Sequence, residues 1–211
     1  MIKGVIFDLD GVLVTTDELH YRAWLRLAER EGIYFDREIN HRLRGVSRMD
    51  SLEIILERAE KTYTPEEKQE MASYKNAIYV KLLESLTEAD VLPGVVETLD
   101  GLEKRGILMA VGSSSKNAGK ILDKTGLAGR FNAIADGTDI TRSKPAPEVF
   151  LCAAQKLGID PAECAVVEDA EAGIQAAKAG GMLACAVSDA CKSPLADVRL
   201  NELTDLLDRS L

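Results

Sequence analysis

The sequence predicts an α/β protein, with a doubly wound parallel (Rossmann-like) sheet and an inserted all-helical cap domain. Two observations lead to this fold. Five short apolar runs are nearly continuous, which is typical of parallel strands covered by helices on both faces. Helical patterns separate most of these runs, and alternating strands and helices with right-handed crossovers form a doubly wound sheet. A long helical stretch after the first run breaks this alternation and predicts the insert.

The predicted strands are residues 2–8, 107–112, 132–136, 164–168 and 182–187. The predicted core helices are residues 95–105, 115–125, 146–157 and 170–179. Each core helix has a lysine or arginine in its last turn and a glycine directly after it. The cation suits the negative end of the helix dipole, and the glycine suits a left-handed C-cap. These glycines are Gly106, Gly126, Gly158 and Gly180.

Residues 15–92 contain helical patterns but no convincing strand. The segment from Thr15 to Glu18 has the spacing of a capping box and predicts a helix that ends near Gly32. Further helices are predicted at 48–60 and at 65–86, the second with Pro65 in its first turn. An insert directly after the first strand would lie over the carboxyl edge of the sheet, where such folds bind ligands.

The domain boundaries follow from this pattern. We assign residues 1–14 and 93–211 to a discontinuous catalytic core, and residues 15–92 to a helical cap domain that acts as a lid.

Composition limits the possible functions. The 211 residues carry a net charge of −9 and include no long basic run, which argues against nucleic acid as a partner. A local cluster of cations can still bind a small phosphorylated molecule. The four cysteines have no C-x-x-C spacing, so we expect reduced thiols rather than a zinc site. We find no signal peptide or long apolar run and expect a cytoplasmic protein without a membrane partner.

Asp8 and Asp10 follow the first apolar run and are the most informative pair in the chain. Side chains two residues apart on a strand share a face and lie only ~7 Å apart. Two such carboxylates repel each other unless a cation lies nearby or one of them holds a proton. Phosphoryl transfer suits this pair, because one aspartate can attack phosphorus while the other handles a proton and a divalent ion balances the charge.

Two polar segments follow later strands. The first is the serine-rich stretch 113–117, whose hydroxyls and backbone amides at a helix start suit a phosphate. Taken alone, it also fits an ordinary serine-rich helix cap. The second contains Lys144, which Pro145 and Pro147 hold in a restricted backbone. Taken alone, Lys144 could be a solvated lysine before a helix.

Two further candidates carry charge. Glu168 and Asp169 end a buried strand, where acidic groups are costly unless they are paired or bind metal. With Asp8 and a backbone carbonyl they would form an oxygen-rich site for Mg²⁺, although Asp169 could merely cap the next helix. In the cap, Arg44 and Arg48 could clamp a distal phosphate or could be solvated surface residues.

The order of these motifs, Asp-x-Asp, then Ser, then Lys, then an acidic pair, resembles that of the haloacid dehalogenase-like hydrolases along the whole chain. The carrying segments also include His20 to Trp24. Within that superfamily, the segment Arg44–Leu52 and the Ser115-Lys116-Asn117 triplet resemble the members that isomerise β-D-glucose 1-phosphate to glucose 6-phosphate.

The resemblance implies a chemical role for each motif. Asp8 would be the nucleophile that becomes an aspartyl-phosphate, and Asp10 would be the general acid and base. Mg²⁺ would be the cofactor, held by Asp8, the Asp10 carbonyl and Asp169, with Glu168 nearby. Ser113 and Lys144 would bind the transferring phosphoryl group.

The resemblance also implies the binding residues. The distal phosphate would contact Arg48, Ser115, Lys116 and Asn117. Thr16 and His20, at the hinge, would position Asp10. The sugar side of the cap would be lined by Trp24, Arg44, Gly45, Val46, Ser51 and Lys75. Judged without the resemblance, His20 fits a backbone hydrogen bond, His41 a surface position and Trp24 the core of the lid.

Three residues depart from the family pattern. Thr15 stands where an aspartate is frequent, so the hinge contacts can differ. Arg44 stands where the isomerases commonly have lysine, which keeps the charge but not the geometry. Ala170 follows Asp169 where serine is frequent, which removes a hydroxyl beside the metal site.

The expected function is therefore a Mg²⁺-dependent phosphomutase. It would use an aspartyl-phosphate and a glucose 1,6-bisphosphate intermediate, and its partner would be a small phosphorylated sugar bound by a monomer. The alternatives are a sugar-phosphate phosphatase with water as acceptor and a non-catalytic phosphoacceptor module. A dehalogenase is disfavoured, because Asp10 would then have no proton to handle.

Overall fold

The computed structural model describes residues 1–209 and has a six-stranded, wholly parallel sheet at its centre. The strands lie in the order β3-β2-β1-β4-β5-β6. Their bounds are β1 Gly4–Phe7, β2 Leu108–Gly112, β3 Ala133–Ala135, β4 Cys164–Glu168, β5 Leu183–Ala186 and β6 Val198–Arg199. The predicted fold class is confirmed, and all five predicted strands form.

β1 occupies the centre of the sheet, between β2 and β4. Phe7 pairs with Val111 on one side and with Val167 on the other. Because the three strands run parallel, the residues that follow them meet at one edge of the sheet. This register brings the loops that begin at Asp8, Ser113 and Asp169 together.

Helices cover both faces of the sheet, as its apolar strands require. The core helices are α5 Val95–Lys104, α6 Ala118–Lys124, α7 Glu148–Leu157 and α8 Glu171–Ala179. One face packs Phe7 and Val167 with α5 and α6, and the other packs Ile6 and Phe150 with α7 and α8. Both layers exclude water from the backbone of β1.

Between β1 and α5 the chain forms four α-helices and two short 3₁₀ turns. The α-helices are α1 Asp17–Glu31, α2 Arg37–His41, α3 Arg48–Leu56 and α4 Pro65–Leu82. They enclose a separate apolar cluster that includes Trp24, Leu52 and Ile55. Val14 forms a bridge with Val91, so the chain leaves and re-enters the core through paired segments.

The structure corrects three sequence predictions. No capping box forms at Thr15, because α1 begins at Asp17 and the Thr16 hydroxyl donates to Asp10 instead of capping the helix. The left-handed glycine after the last core helix is Gly181, with a φ of +73°, whereas Gly180, directly after the helix, is right-handed. The sequence analysis also missed α2 and β6, which have five and two residues and are too short for a periodic pattern.

Cys152, Cys164, Cys185 and Cys191 are all free thiols. Within residues 1–209, no helix combines the length and the apolar character needed to cross a bilayer.

Gly112, at the end of β2, offers a test of the packing beneath the site. A Cβ there would lie 2.7 Å from Cδ1 of Phe150 and 3.0 Å from Cγ2 of Ile6, both fully buried. Gly112→Ala should therefore lower the free energy of unfolding by about 1–3 kcal/mol. Urea denaturation followed by circular dichroism measures this change.

The matched control is Gly119→Ala in α6, where a Cβ would meet no atom within 4 Å. It should leave stability unchanged or raise it by up to ~1 kcal/mol, because alanine favours helix. Equal effects of the two substitutions would contradict the packing argument.

Candidate active site

Lys144 is the cation at the centre of the site. Its ammonium Nζ lies 2.5 Å from Asp8 Oδ1 and also donates to Glu168 Oε1, and its side chain is 1% exposed. Burial alone would lower the pKa of Lys144, but the negative charges of Asp8 and Glu168 outweigh it and hold the pKa above its usual range. Lys144 therefore stays charged and compensates buried carboxylates on two neighbouring strands.

Glu168 is fully buried behind the site. Its Oε1 accepts from Lys144, and its Oε2 accepts from the backbone amide of Ala170 at 2.9 Å. A Cβ at position 173 would lie 1.9 Å from the Glu168 carboxyl, so Gly173 gives this side chain its room.

Asp169 lies at the mouth of the same cluster. Burial, followed by the charges of Glu168 and Asp8, raises the pKa of Asp169 to about 8. Gly11 faces it with a φ of +83°, and a Cβ there would lie 2.2 Å from Asp169 Oδ2. The loop after β1 therefore requires glycine both for its backbone conformation and for space.

The carboxylates of Asp8, Glu168 and Asp169 each place an oxygen within 4.8 Å of the others. One ammonium cannot neutralise three carboxylates, and burial together with this excess of negative charge raises the pKa of Asp169. Oxygen donors with surplus negative charge suit a hard divalent cation. The residues present thus fit a divalent metal ion.

Asp10 differs from Asp8 in its surroundings. Burial, together with the charge of Asp8, raises the pKa of Asp10 to about 7, despite a hydrogen bond that Thr16 donates to its Oδ1. The Tyr79 hydroxyl in turn donates to Thr16 Oγ1 at 3.3 Å. Asp10 can therefore gain or lose a proton near neutral pH, which suits a general acid and base.

A buried group from α1 and α4 continues from Asp10. Lys75 Nζ lies 2.9 Å from His20 Nδ1 and 4.6 Å from the centre of the Trp24 ring. The His20 ring packs on Tyr79 with 4.0 Å between ring centres. Burial lowers the pKa of both Lys75 and His20 well below their ordinary values, so both side chains favour the neutral form.

The serine-rich loop after β2 is ordered by its own hydroxyls. Ser113 Oγ accepts from the Ser115 amide at 3.1 Å, and Ser115 Oγ accepts from the Asn117 amide at 3.2 Å. Asn117 Nδ2 donates to Asn76 Oδ1 on α4 at 3.1 Å. This loop therefore contacts a helix of the predicted cap.

The two arginines of the cap have different environments. Ser47 caps α3 by accepting from the Asp50 amide at 3.0 Å, which places Arg48 in the first turn of the helix. Partial burial lowers the pKa of Arg48 from its ordinary value. Arg44 instead donates to Asp17 Oδ2 at 3.2 Å, so a carboxylate already holds its guanidinium.

One cavity of about 1030 Å³ is lined by most of the predicted site residues. Glu168 is the exception, because it lies buried behind the cavity wall. The lining residues from the sequence analysis are Asp8, Asp10, Thr16, His20, Trp24, Arg44, Gly45, Val46, Arg48, Ser51, Lys75, Ser113, Ser115, Lys116, Asn117, Lys144 and Asp169. Trp24 also belongs to the apolar cluster of the cap helices.

The cavity contains residues that sequence reasoning missed, among them Asn76 and Ser188. Asn76 follows Lys75, but consecutive residues on a helix do not share a face, so no sequence signal marked it. The Ser114 hydroxyl is buried with no hydrogen-bond partner among the described residues, a property that no sequence pattern carries. Ser188 lies in a loop after β5, far from every predicted motif.

A parallel sheet with clustered carboxylates at its carboxyl edge, beneath a group of helices, defines the cap-bearing α/β phosphohydrolases and phosphotransferases. The family model described as haloacid dehalogenase-like hydrolase matches residues 2–181, and the chain belongs to this family.

Similar proteins refine the comparison. The β-phosphoglucomutase of Bacillus subtilis (strain 168) is 45% identical over 207 residues, which cover 97% of this chain and 92% of that protein. A fructose-1-phosphate phosphatase of Escherichia coli (strain K12) is 33% identical over 179 residues, which cover 85% of this chain and 93% of that protein. A crystal structure of β-phosphoglucomutase from Clostridium difficile has a TM-score of 0.92 at 38% identity, with coverage of 98% and 93%.

The raised pKa of Asp169 predicts a pH dependence of stability. In the folded protein Asp169 holds a proton up to about pH 8, whereas its ordinary pKa is 3.8. The folded state therefore binds more protons than the unfolded chain between these values, and its stability falls as pH rises. The Asp169→Asn variant serves as the reference, because asparagine has no ionisable side chain. In chelator, the free energy of unfolding of the unmodified protein should fall relative to that of Asp169→Asn between pH 5 and 8.

Urea titrations at several pH values measure this difference. Comparing the two proteins cancels the opposite contributions of His20 and Lys75, whose pKa values burial lowers in the folded state. A difference that stays constant with pH would refute the assignment of the raised pKa to Asp169.

Proposed function

We propose that this chain is a β-phosphoglucomutase, which interconverts β-D-glucose 1-phosphate and glucose 6-phosphate. The observation that carries this proposal is the cavity that joins Asp8 and Asp10 to a second group of cations and amides around Arg48 and Lys116. A sugar that carries phosphate at either end needs both regions. The B. subtilis relative, similar over nearly the full chain, has this activity in its name.

Asp8 is the proposed nucleophile. Its carboxylate would attack phosphorus, and the new P–O bond would form while the bond from phosphorus to the sugar oxygen breaks. Lys144 donates to Asp8 Oδ1 and would also contact the transferring oxygens. Ser113, buried at the end of β2, would supply a hydroxyl to the same group.

Asp10 is the proposed proton carrier. It would protonate the departing sugar oxygen in one half of the cycle and accept the proton of the attacking sugar hydroxyl in the other. A pKa of about 7 gives both protonation states similar populations at neutral pH, which this double role needs. The hydrogen bond from Thr16 holds the Asp10 carboxyl in place, and Asp8 and Asp10 both line the cavity.

The proposed cofactor is Mg²⁺. Asp8, Asp169 and the Asp10 carbonyl would hold it, with Glu168 next to them. The ion supplies positive charge that stabilises the transferring phosphoryl group.

The second phosphate region is assigned to Arg48 with Ser115, Lys116 and Asn117. In the proposed cycle, β-glucose 1-phosphate takes the phosphoryl group from Asp8 at its other end, which gives glucose 1,6-bisphosphate. The bisphosphate reorients and returns its first phosphoryl group to Asp8, leaving glucose 6-phosphate. Each phosphate would therefore bind at each region once per cycle.

A sugar-phosphate phosphatase is the second candidate, favoured by the similarity to the E. coli fructose-1-phosphate phosphatase. The same residues would then form the aspartyl-phosphate, with water as the acceptor. The acceptor separates the two candidates, and a cap that closes the cavity to water would favour the sugar.

Phosphorus NMR of the protein with β-D-glucose 1-phosphate, Mg²⁺ and a trace of glucose 1,6-bisphosphate tests the proposal. We expect conversion to glucose 6-phosphate with little inorganic phosphate. Asp8→Asn should abolish conversion, because an amide is a poor nucleophile. Chelation of the metal should also stop it, and added Mg²⁺ should restore it.

Two outcomes would contradict the mutase. Release of mainly inorganic phosphate would make the chain a phosphatase. If neither glucose 6-phosphate nor inorganic phosphate forms, β-glucose 1-phosphate is excluded as a substrate.

A further inference from the structure

Asp189 links the cap helices to the core outside the catalytic cluster. It lies in a short 3₁₀ turn, Ser188–Lys192, after β5. His41 Nε2, at the end of α2, lies 3.0 Å from Asp189 Oδ2, and Arg44 Nη1 lies 3.5 Å from the same oxygen. Lys192, from the core itself, pairs with Asp189 Oδ1 at 2.5 Å. One core carboxylate thus receives two cap side chains.

Arg44 connects this contact to the cavity. Its guanidinium bridges Asp189 of the core and Asp17 at the start of α1, and its side chain lines the cavity. Asp17, Asp189 and Asp169 all contribute to a pKa of Arg44 that lies above its ordinary value despite partial burial. Arg44 is therefore fixed by carboxylates on both sides of the cap–core boundary.

The loop that carries Asp189 is tied to the acidic cluster. The Val187 amide donates to the Glu168 carbonyl at 2.8 Å, and the Ala190 amide donates to the Asp169 carbonyl at 3.0 Å. Ser188 has a φ of +52°, a sign found elsewhere in residues 1–209 only at glycines. A strained backbone persists where the surrounding contacts hold it. The backbone on either side of Asp189 is therefore held by hydrogen bonds to the end of β4.

The cap fits closely against the core beside this contact. A Cβ at Gly45 would lie 3.2 Å from Cβ of Ala170 and 3.7 Å from Cβ of Ala172. Gly45 also has a φ of +75°. The loop 44–46 therefore packs against the start of α8 with little room for another backbone conformation. The ion pairs of Arg44 help to fix this conformation.

The Asp189 side chain favours its ionised form. Hydrogen bonds from Lys192 and then His41 lower the pKa of Asp189 to about 2. The carboxylate is therefore an ionised acceptor throughout the range in which a sugar phosphate would be processed.

We propose that Asp189 is a positioning residue that receives His41 and Arg44 and so holds the cap closed over the cavity. The consequence for chemistry rests on the proposed function: a cap held closed favours phosphoryl transfer to sugar over transfer to water. Asp189 touches neither substrate nor the reacting atoms and acts through Arg44 and the closed cap.

The first readout does not depend on the reaction. Hydrogen exchange of the backbone amides of residues 43–47, followed by mass spectrometry, reports how often this loop leaves the core. Asp189→Asn should speed this exchange by about 2- to 5-fold, the range expected for losing partly exposed ion pairs. His41→Gln should speed exchange less than Asp189→Asn does. In the double variant His41→Gln/Asp189→Asn, exchange should be no faster than in Asp189→Asn alone. Asp189→Glu should restore much of the protection.

The second readout is the ratio of inorganic phosphate to glucose 6-phosphate formed from β-glucose 1-phosphate. Asp189→Asn should raise this ratio by a similar factor. Two matched controls should change neither readout. Lys3→Gln breaks the exposed Lys3–Glu163 pair within the core, and Glu57→Gln breaks the Arg42–Glu57 pair within the cap.

The outcomes separate this proposal from the proposed function. If the unmodified protein yields only inorganic phosphate, the mutase proposal fails while the exchange comparison still decides whether Asp189 holds the cap. Unchanged exchange in Asp189→Asn, or equal effects in the two controls, would overturn the role of Asp189.

Discussion

The buried contact of the Lys144 ammonium with Asp8 and Glu168 is the interaction on which the rest of the site depends. Three carboxylates meet at the edge of the sheet, and removing them from water would be prohibitive without a cation among them. Lys144 supplies that charge from a loop that follows β3. Its positive charge lies against Asp8 and Glu168, while Asp169 is left with a raised pKa.

The topology makes this contact possible. β1 pairs with β2 and β4 along its whole length, so the ends of three strands share one edge. The helical segment leaves and returns beside that edge, with Val14 paired to Val91. Thr16, in the outgoing segment, donates to Asp10, so the orientation of this proposed proton carrier depends on where the helical segment lies.

Much of this arrangement could be predicted from sequence, because it rests on local patterns. Five apolar runs gave five strands of the sheet, and Pro65 correctly marked the start of α4. The residues that would line the cavity could be named because each follows a strand or lies beside a motif. Parallel strands bring their ends together whatever the intervening distance along the chain.

The rest depended on contacts between distant residues. The capping box at Thr15 was wrong because a tertiary partner, Asp10, takes the hydroxyl of Thr16. β6 has two residues and could form only once β5 offered an edge. Asn76 and Asp189 were missed since their partners, Asn117 and His41, are far away in sequence. His41 was expected only to lie at the surface, and its pairing has no sequence signature.

The central claim is that Asp8 carries the phosphoryl group between the two ends of one sugar. The most direct test is to mix the protein with glucose 1,6-bisphosphate and Mg²⁺, quench in acid and locate added phosphate by peptide mass spectrometry. The account predicts phosphate on Asp8, and its loss to sugar when β-glucose 1-phosphate is added before the quench. Phosphate on another residue, or a phosphoryl group that passes only to water, would contradict it.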